Sequence, residues 1–294
     1  MKIGLIDVDN INKKRISFPN LPLMKLSAYH KARGDCVNWW IPLEKYDLVY
    51  KSKVFDFTSE IEYPIQAARV IEGGTGYGLE NRLPDEVEHI MPDYSLYPQF
   101  NAAYGFLTRG CPRSCPFCIV GPKEGTQSIK AADLSEFWSG QKQIKLLDPN
   151  LLACKDHENL LGQLIESGAR VDFTQGLDIR LITKQNAELL QRVKVKNIHF
   201  AWDNPKQDLS EHFKNFKAFS GIDYRKLGVY VLTNFNSTHE EDLNRVYTLR
   251  DLGYSPYVMI YNKATAPRET RMLQRWVNNR IIFRKVKRFE DYIP

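Results

Sequence analysis

Cysteine is scarce in this chain, at five in 294 residues, and its six histidines lie scattered. An odd number of thiols argues against the disulfide framework of a small secreted domain. No uninterrupted apolar run approaches the length needed to cross a bilayer. Met1-Lys-Ile-Gly opens on a strand-like run, not on a charged leader with a cleavable apolar stretch, so the cytoplasm is the expected compartment and no membrane partner is expected. A second C-x2-C pair or an H-x3-5-H pair, which would complete a four-ligand structural zinc site, is also missing. Net charge is missing from most of the chain. From Lys263 to Pro294 nine Lys or Arg stand against three acids, a difference equal to the whole excess of +6, and residues 1 to 262 carry 32 of each sign.

What is present begins with an ordinary globular composition, 43% hydrophobic and 26% charged, enough for one large or two modest cores. Three of the five cysteines fall within eight residues, in Thr108-Arg-Gly-Cys-Pro-Arg-Ser-Cys-Pro-Phe-Cys118. Gly110, Pro112 and Pro116 prevent this segment from continuing as strand or helix, so it loops, and a loop lets Cys111, Cys115 and Cys118 converge on one object. Three thiolates suit a 4Fe-4S cluster that keeps one iron open to an outside ligand. A zinc loop completed by a distant histidine or by Cys154 is the alternative reading.

In chain order, apolar runs predict strands at Lys2 to Val8, Cys36 to Ile41, Tyr46 to Tyr50 and Arg69 to Ile71, with a helix over Leu21 to Ala32 stopped by Gly34. This pattern predicts a small open α/β sheet over residues 1–98. Its end carries Gly73-Gly-Thr-Gly-Tyr77, which reads either as turns or as a backbone approach to a ligand. Pro92 to Pro98 reads as a linker. Residues 99–294 then alternate strand and helix six times, with strands at Tyr104 to Thr108, Gln143 to Leu147, Arg170 to Thr174, Lys196 to Ala201, Leu227 to Leu232 and Tyr257 to Ile260. Helices are predicted over Ala131 to Trp138, Asp156 to Ser167, Lys184 to Arg192, Asp208 to Phe219, His239 to Leu252 and Pro267 to Asn279, the fifth marked by the capping box Thr238-x-x-Glu241. Six such units predict a parallel sheet in a partial (β/α)6 barrel.

In parallel barrels the chemistry gathers at the C-terminal ends of the strands. Here those ends carry the Cys111 loop, Asp148-Pro-Asn150, Gln175 to Arg180, Trp202-Asp-Asn204, Thr233 to Asn236 and Tyr261-Asn-Lys263. Capping and turn formation account for many Asp and Asn residues at such places. Gln175 and Arg180 are less readily explained that way.

With Phe117 in the aromatic position, the C-x3-C-x-aromatic-C spacing resembles the signature of the radical S-adenosylmethionine enzymes. The resemblance implies a cluster on Cys111, Cys115 and Cys118 whose open iron takes the amino and carboxylate groups of S-adenosylmethionine. It also implies reductive cleavage of the sulfonium and an electron from a flavodoxin or ferredoxin. Phe117, Asp148, Asn150, Gln175, Arg180 and Asp203 are then the candidate contacts to the cosubstrate. Arg180 suits its carboxylate through a planar fork, and Asp203 suits the ribose hydroxyls. The family's second-strand Gly-Gly-Glu is absent at Asp148 to Asn150, while Gln175, Arg180 and Asp203 resemble the set found in oxygen-independent coproporphyrinogen oxidase.

The first 98 residues resemble the cobalamin-binding-like domain of one branch of that family. Where its D-x-H-x-x-G motif belongs, this chain has Asp7-Val-Asp-Asn-Ile-Asn without a histidine, so the domain reads as degenerate and cobalamin is not expected. No catalytic residue is assigned beyond Cys154, which is either a hydrogen-atom donor, as in spore photoproduct lyase, or a core residue. With Cys36 and Cys154 alone to spare, a second cysteine-bound cluster is not expected. The basic segment 263–294 reads as a nucleic-acid contact or as a solvated helix face. The expected function is thus a radical enzyme acting on an unidentified substrate, with nucleic acid as one class. The rival is a non-catalytic, zinc-stabilised nucleic-acid-binding protein.

Overall fold

The computed structural model describes residues 1–293 apart from Asn12, Lys14, Arg15 and Ser17. Asn12, which closes the Asp7 to Asn12 segment, and Pro294, which ends the basic segment, therefore lie outside the described residues. The chain forms two compact units. One comprises Met1–Gly105, Gly110–Thr126 and Ala132–Lys142, and the other Phe106–Arg109, Gln127–Ala131 and Gln143–Pro294.

The first unit carries β1 (Lys2–Asp7), α1 (Leu21–Ala32), β2 (Cys36–Trp39), β3 (Tyr46–Ser52), β4 (Ala67–Gly73), α2 (Asp85–Glu88), β5 (Ala103–Gly105) and α3 (Val120–Glu124). Strands β1 to β4 form a sheet in the order β2-β1-β3-β4, all parallel. Apolar residues on both faces of β1 place it centrally. Ile3 and Leu5 pack with Leu23 and Leu26 of α1 and with Val87, while Ile6 and Val8 pack on the other face with Trp40, Tyr46 and Val49. Gly4 shares that second face, where a methyl group would meet the Tyr46 ring at 3.0 Å. Asn20 caps α1 by accepting from the Leu23 N–H at 3.2 Å.

The second unit carries the short β6 (Thr108–Arg109) and β7 (Ile129–Lys130), which pair antiparallel. There follow β8 (Gln143–Leu146), α4 (His157–Ser167), β9 (Arg170–Phe173), α5 (Lys184–Arg192), β10 (Val195–Ala201), α6 (Ser210–Ser220), β11 (Leu227–Thr233), α7 (His239–Asp251), β12 (Ser255–Ile260), α8 (Arg268–Asn278) and α9 (Arg280–Lys285). Within this unit the strand order is β12-β11-β10-β9-β8, so successive strands add in one direction without reversal. Neighbours from β8 to β12 pair in parallel. Ile144, Val171, Phe173, Ile198, Phe200, Val229, Val231 and Val258 are buried on the helix side, and Phe200 meets Phe213 and Phe216 of α6 edge-on at 6.0 and 4.9 Å. Period-2 alternation turns Lys145, Asp172, His199, Tyr230 and Tyr257 to the opposite face.

The fold is α/β with parallel sheets, as the alternation predicts, but the first crossover differs. The helix predicted over Ala131 to Trp138 is a single tight turn, Leu134–Glu136. Asp133 and Glu136 do form a capping box there, but the chain leaves helical geometry at Phe137, where φ is −139°, before a second turn can form. The strand predicted over Tyr104 to Thr108 is split into β5 and β6, and the basic end holds two helices because Asn279 caps Ile281 and Ile282, at 3.1 and 3.2 Å, and restarts the chain as α9. Among the described residues no helix is long and apolar enough to cross a membrane.

Candidate functional site

The cysteine loop leaves β6 at Gly110, where φ is +81°, and returns at Gly125, whose carbonyl accepts from the Cys111 N–H at 3.2 Å. Ser114 at φ 46° makes the bend between Cys111 and Cys115. The Cys118 N–H donates to the Cys115 carbonyl at 2.9 Å, and α3 then begins, with the Val120 N–H directed at Cys118 Sγ at 3.5 Å. Glu124 accepts from the Gly110 N–H at 3.2 Å, and Lys123 is bound on both sides, its amine donating to the Asn81 carbonyl at 2.6 Å and its carbonyl accepting from Arg82. Cys111, Cys115, Phe117 and Cys118 are all half-buried, and the cysteines are thiols.

As the side chains stand, no three His, Cys, Asp or Glu among the described residues converge on a single ion. What fits an iron-sulfur cluster is the donor set, three half-buried thiols on one closed loop.

Two strand-end residues of the second unit, Asp148 and Asn150, bind residues of that same unit that flank the loop in sequence. Asp148, buried after β8, accepts from the Leu107 N–H at 3.2 Å, the Thr108 N–H at 2.6 Å and the Thr108 hydroxyl at 2.7 Å. Burial pushes its carboxyl up to about 6, against the opposing pull of those donors. On the returning stem the Ser128 hydroxyl donates to the Asn150 carbonyl at 2.9 Å. Asp148 and Asn150, predicted as cosubstrate contacts, are thus placed as anchors of residues 108 and 128.

Arg180 gives Nε and Nη2 to Asp178, at 2.7 and 3.2 Å, and Nη1 to Gln207 at 3.0 Å. Its fork is therefore held by a carboxylate two residues away. Asp203, half-buried after β10, has its carboxyl raised chiefly by burial, while the charges of Arg245 and Arg180 pull the other way. Arg180 and Asp203 are thus within electrostatic reach of each other, and Gln175 is exposed on the loop before them. Cys154 is 4% exposed, as a core residue would be.

Arg245 went unread in the sequence. It is 1% exposed on α7 and donates to the carbonyls of Trp202 at 2.6 Å, Asp203 at 3.1 Å and Leu232 at 2.9 Å, with Asp242 as its ionic partner. It joins the ends of β10 and β11, which fixes the backbone on which Asp203 sits. A signal was present: Asp242, Arg245, Val246 and Leu249 share the i, i+3, i+4, i+7 spacing of a buried face, and all four are buried.

In the first unit two glycines of the cluster, Gly74 and Gly76, lie close against backbone, while Gly73 meets nothing within 4 Å. A methyl group on Gly74, at φ +94°, would lie 2.3 Å from the Lys53 carbonyl oxygen, and one on Gly76 would lie 2.9 Å from that of Phe55. Asp7, where the family motif begins, accepts from the Tyr97 hydroxyl at 2.6 Å and the Asn10 amide at 2.7 Å.

No protein-family model matches the chain, and comparison with curated proteins finds no match.

Proposed function

We propose that the chain is a radical S-adenosylmethionine enzyme, with residues 99–294 forming a partial (β/α)6 barrel and residues 1–98 a degenerate cobalamin-binding-like domain. The observation that carries this reading is the set of three half-buried thiols at C-x3-C-x2-C spacing, with Phe117 before the last, on a loop closed by the Cys111 to Gly125 hydrogen bond. Held there by Cys111, Cys115 and Cys118, a 4Fe-4S cluster would supply one-electron reducing chemistry to S-adenosylmethionine, as the resemblance implies.

Cys111, Cys115 and Cys118 hold the cluster, and Phe117 flanks the cosubstrate. Asp148 and the Asn150 carbonyl fix Thr108 and Ser128 within the second unit. Asp203 accepts from ribose hydroxyls, and Arg245 holds its backbone in place. Arg180, steadied by Asp178, offers positive charge to the cosubstrate carboxylate, and Gln175 supplies an amide nearby. The electron donor is of the flavodoxin or ferredoxin type. The substrate class we favour is nucleic acid, because all nine basic side chains of 263–294 are exposed.

Anaerobic reconstitution with iron and sulfide tests the cluster itself. About four iron and four sulfide per chain are expected, falling away when Cys111, Cys115 and Cys118 are changed to Ala. Uptake of one zinc with refusal of iron would overturn the reading in favour of a zinc-stabilised binding protein.

A further inference from the structure

Strand β12 ends the parallel sheet, and its two faces differ in kind. Pro256 and Val258 are buried, Val258 in a cluster with Leu273, Trp276 and Val277 of α8. On the other face Tyr257, Met259 and, just beyond the strand, Tyr261 are 49%, 45% and 44% exposed. Single exposed apolar residues are ordinary, but three in alternation make a continuous strip.

The strip has a rigid aromatic backing. Tyr257 meets Tyr230 edge-on at 6.0 Å, Tyr230 lies flat on His199 at 5.0 Å with 10° between the planes, and Phe235 meets Tyr261 at 4.8 Å. The Tyr230 hydroxyl is fixed by donating to the Thr174 carbonyl at 2.9 Å. Gly228 makes room for the stack, since a methyl group there would lie 2.8 Å from the His199 ring.

The free edge of β12 is partly sealed. Asn278 of α8 accepts from the Val258 N–H at 2.8 Å, and Gln274 and Asn278 donate to the Val258 carbonyl at 3.2 and 3.0 Å. A peptide adding as a further strand would have to displace those amides. The occupant that suits this surface uses its face, by stacking, not its edge.

Charge indicates which occupant. Strand β12 leads directly into the segment that holds the whole net positive charge, and Lys263, Arg268, Arg271 and Arg275 are exposed there. Helix α8 covers the buried face, so the cations that follow the exposed rings most directly are Lys263 and Arg268, on the connection that leaves the strand at Tyr261 and enters α8. Exposed rings followed by cations match a polyanion with unstacked bases. We propose that the open face of β12 is a platform for single-stranded nucleic acid, with bases stacked on Tyr257 and Tyr261 and phosphates met by the cations of the following segment. This rests on the nucleic-acid reading of the basic segment and gives it a strand preference. A duplex is disfavoured because its bases already stack on one another.

The test is fluorescence anisotropy of the full chain with labelled single-stranded DNA, single-stranded RNA and a duplex of the same sequence, at several salt concentrations. Both single strands are expected to bind more tightly than the duplex, and the tighter of the two identifies the natural strand. Tyr257→Ala and Tyr261→Ala should each weaken single-strand binding about tenfold with little change in salt slope. Lys263→Gln with Arg268→Gln should flatten the slope by about 1.4. Equal binding of duplex and single strand, no binding at all, or tyrosine variants that bind as the parent does would each overturn the proposal. A chain with Cys111, Cys115 and Cys118 all changed to Ala should still bind, so failure of the platform and failure of the cluster are read apart.

Discussion

Asp148 holds Thr108 twice, its Oδ1 accepting the backbone N–H at 2.6 Å and the hydroxyl at 2.7 Å, three residues before the first cysteine of the loop. A buried carboxylate that accepts three hydrogen bonds is a firm anchor, but ionising it away from water is costly.

That balance predicts a pH effect. The folded-state value of about 6 lies above the ordinary 3.8, so Asp148 contributes stability that is fully present below about pH 4 and lost as pH rises through 6. The difference corresponds to about 3 kcal/mol over that window. Urea unfolding between about pH 4 and pH 7.5 should show this component in the parent and not in Asp148→Asn. The variant should also lose about 1–3 kcal/mol at all pH values, because its amide nitrogen faces an N–H donor. Identical pH profiles would contradict the assignment.

Arg245→Met should be among the most damaging single changes in the second unit. It removes the donors to Trp202, Asp203 and Leu232 and leaves Asp242 buried without its ionic partner. A loss of about 3–5 kcal/mol is expected, read as a shifted urea midpoint. A shift worth less than about 1 kcal/mol would mean that water replaces the guanidinium.

Gly74→Ala distinguishes packing from ligand binding in the first unit. With φ at +94° and the Lys53 carbonyl 2.3 Å from the new methyl group, it should cost about 2 kcal/mol or more with no ligand present. An unaltered thermal midpoint would return the glycine cluster to the list of candidate ligand loops.

Cys154→Ala should leave any radical product unchanged and cost about 1 kcal/mol, as a small buried group does. A trapped substrate radical or an altered product in that variant would instead make Cys154 the hydrogen donor.

Local chemistry made much of this fold legible. Helix α1 spans the predicted Leu21 to Ala32, and the Thr238 capping box is present, with Glu241 accepting from the Thr238 N–H at 2.9 Å. The strands from β8 to β12 stand close to where apolar runs predict them, because each buries one face under a helix. Three things were not legible, because spacing along the chain does not say which partner a side chain takes. The turn at Leu134 is local, yet it stops at Phe137, whose ring lies against Gly105 much earlier in the chain. The Arg180 fork reads from its place in the sequence as open to an outside carboxylate, but Asp178, two residues away, holds it. Asp148 read as a ligand residue because its place after a strand was visible and its contact with Thr108, 40 residues earlier, was not.

The central claim is that the loop of Cys111, Cys115 and Cys118 supports radical chemistry. The most direct measurement is 5'-deoxyadenosine formed from S-adenosylmethionine and dithionite by the anaerobically reconstituted chain, beside the triple Ala variant. The account predicts formation by the parent and none by the variant. A folded, iron-loaded parent that forms no more 5'-deoxyadenosine than the variant, with single-stranded DNA or RNA present as well as absent, would contradict it.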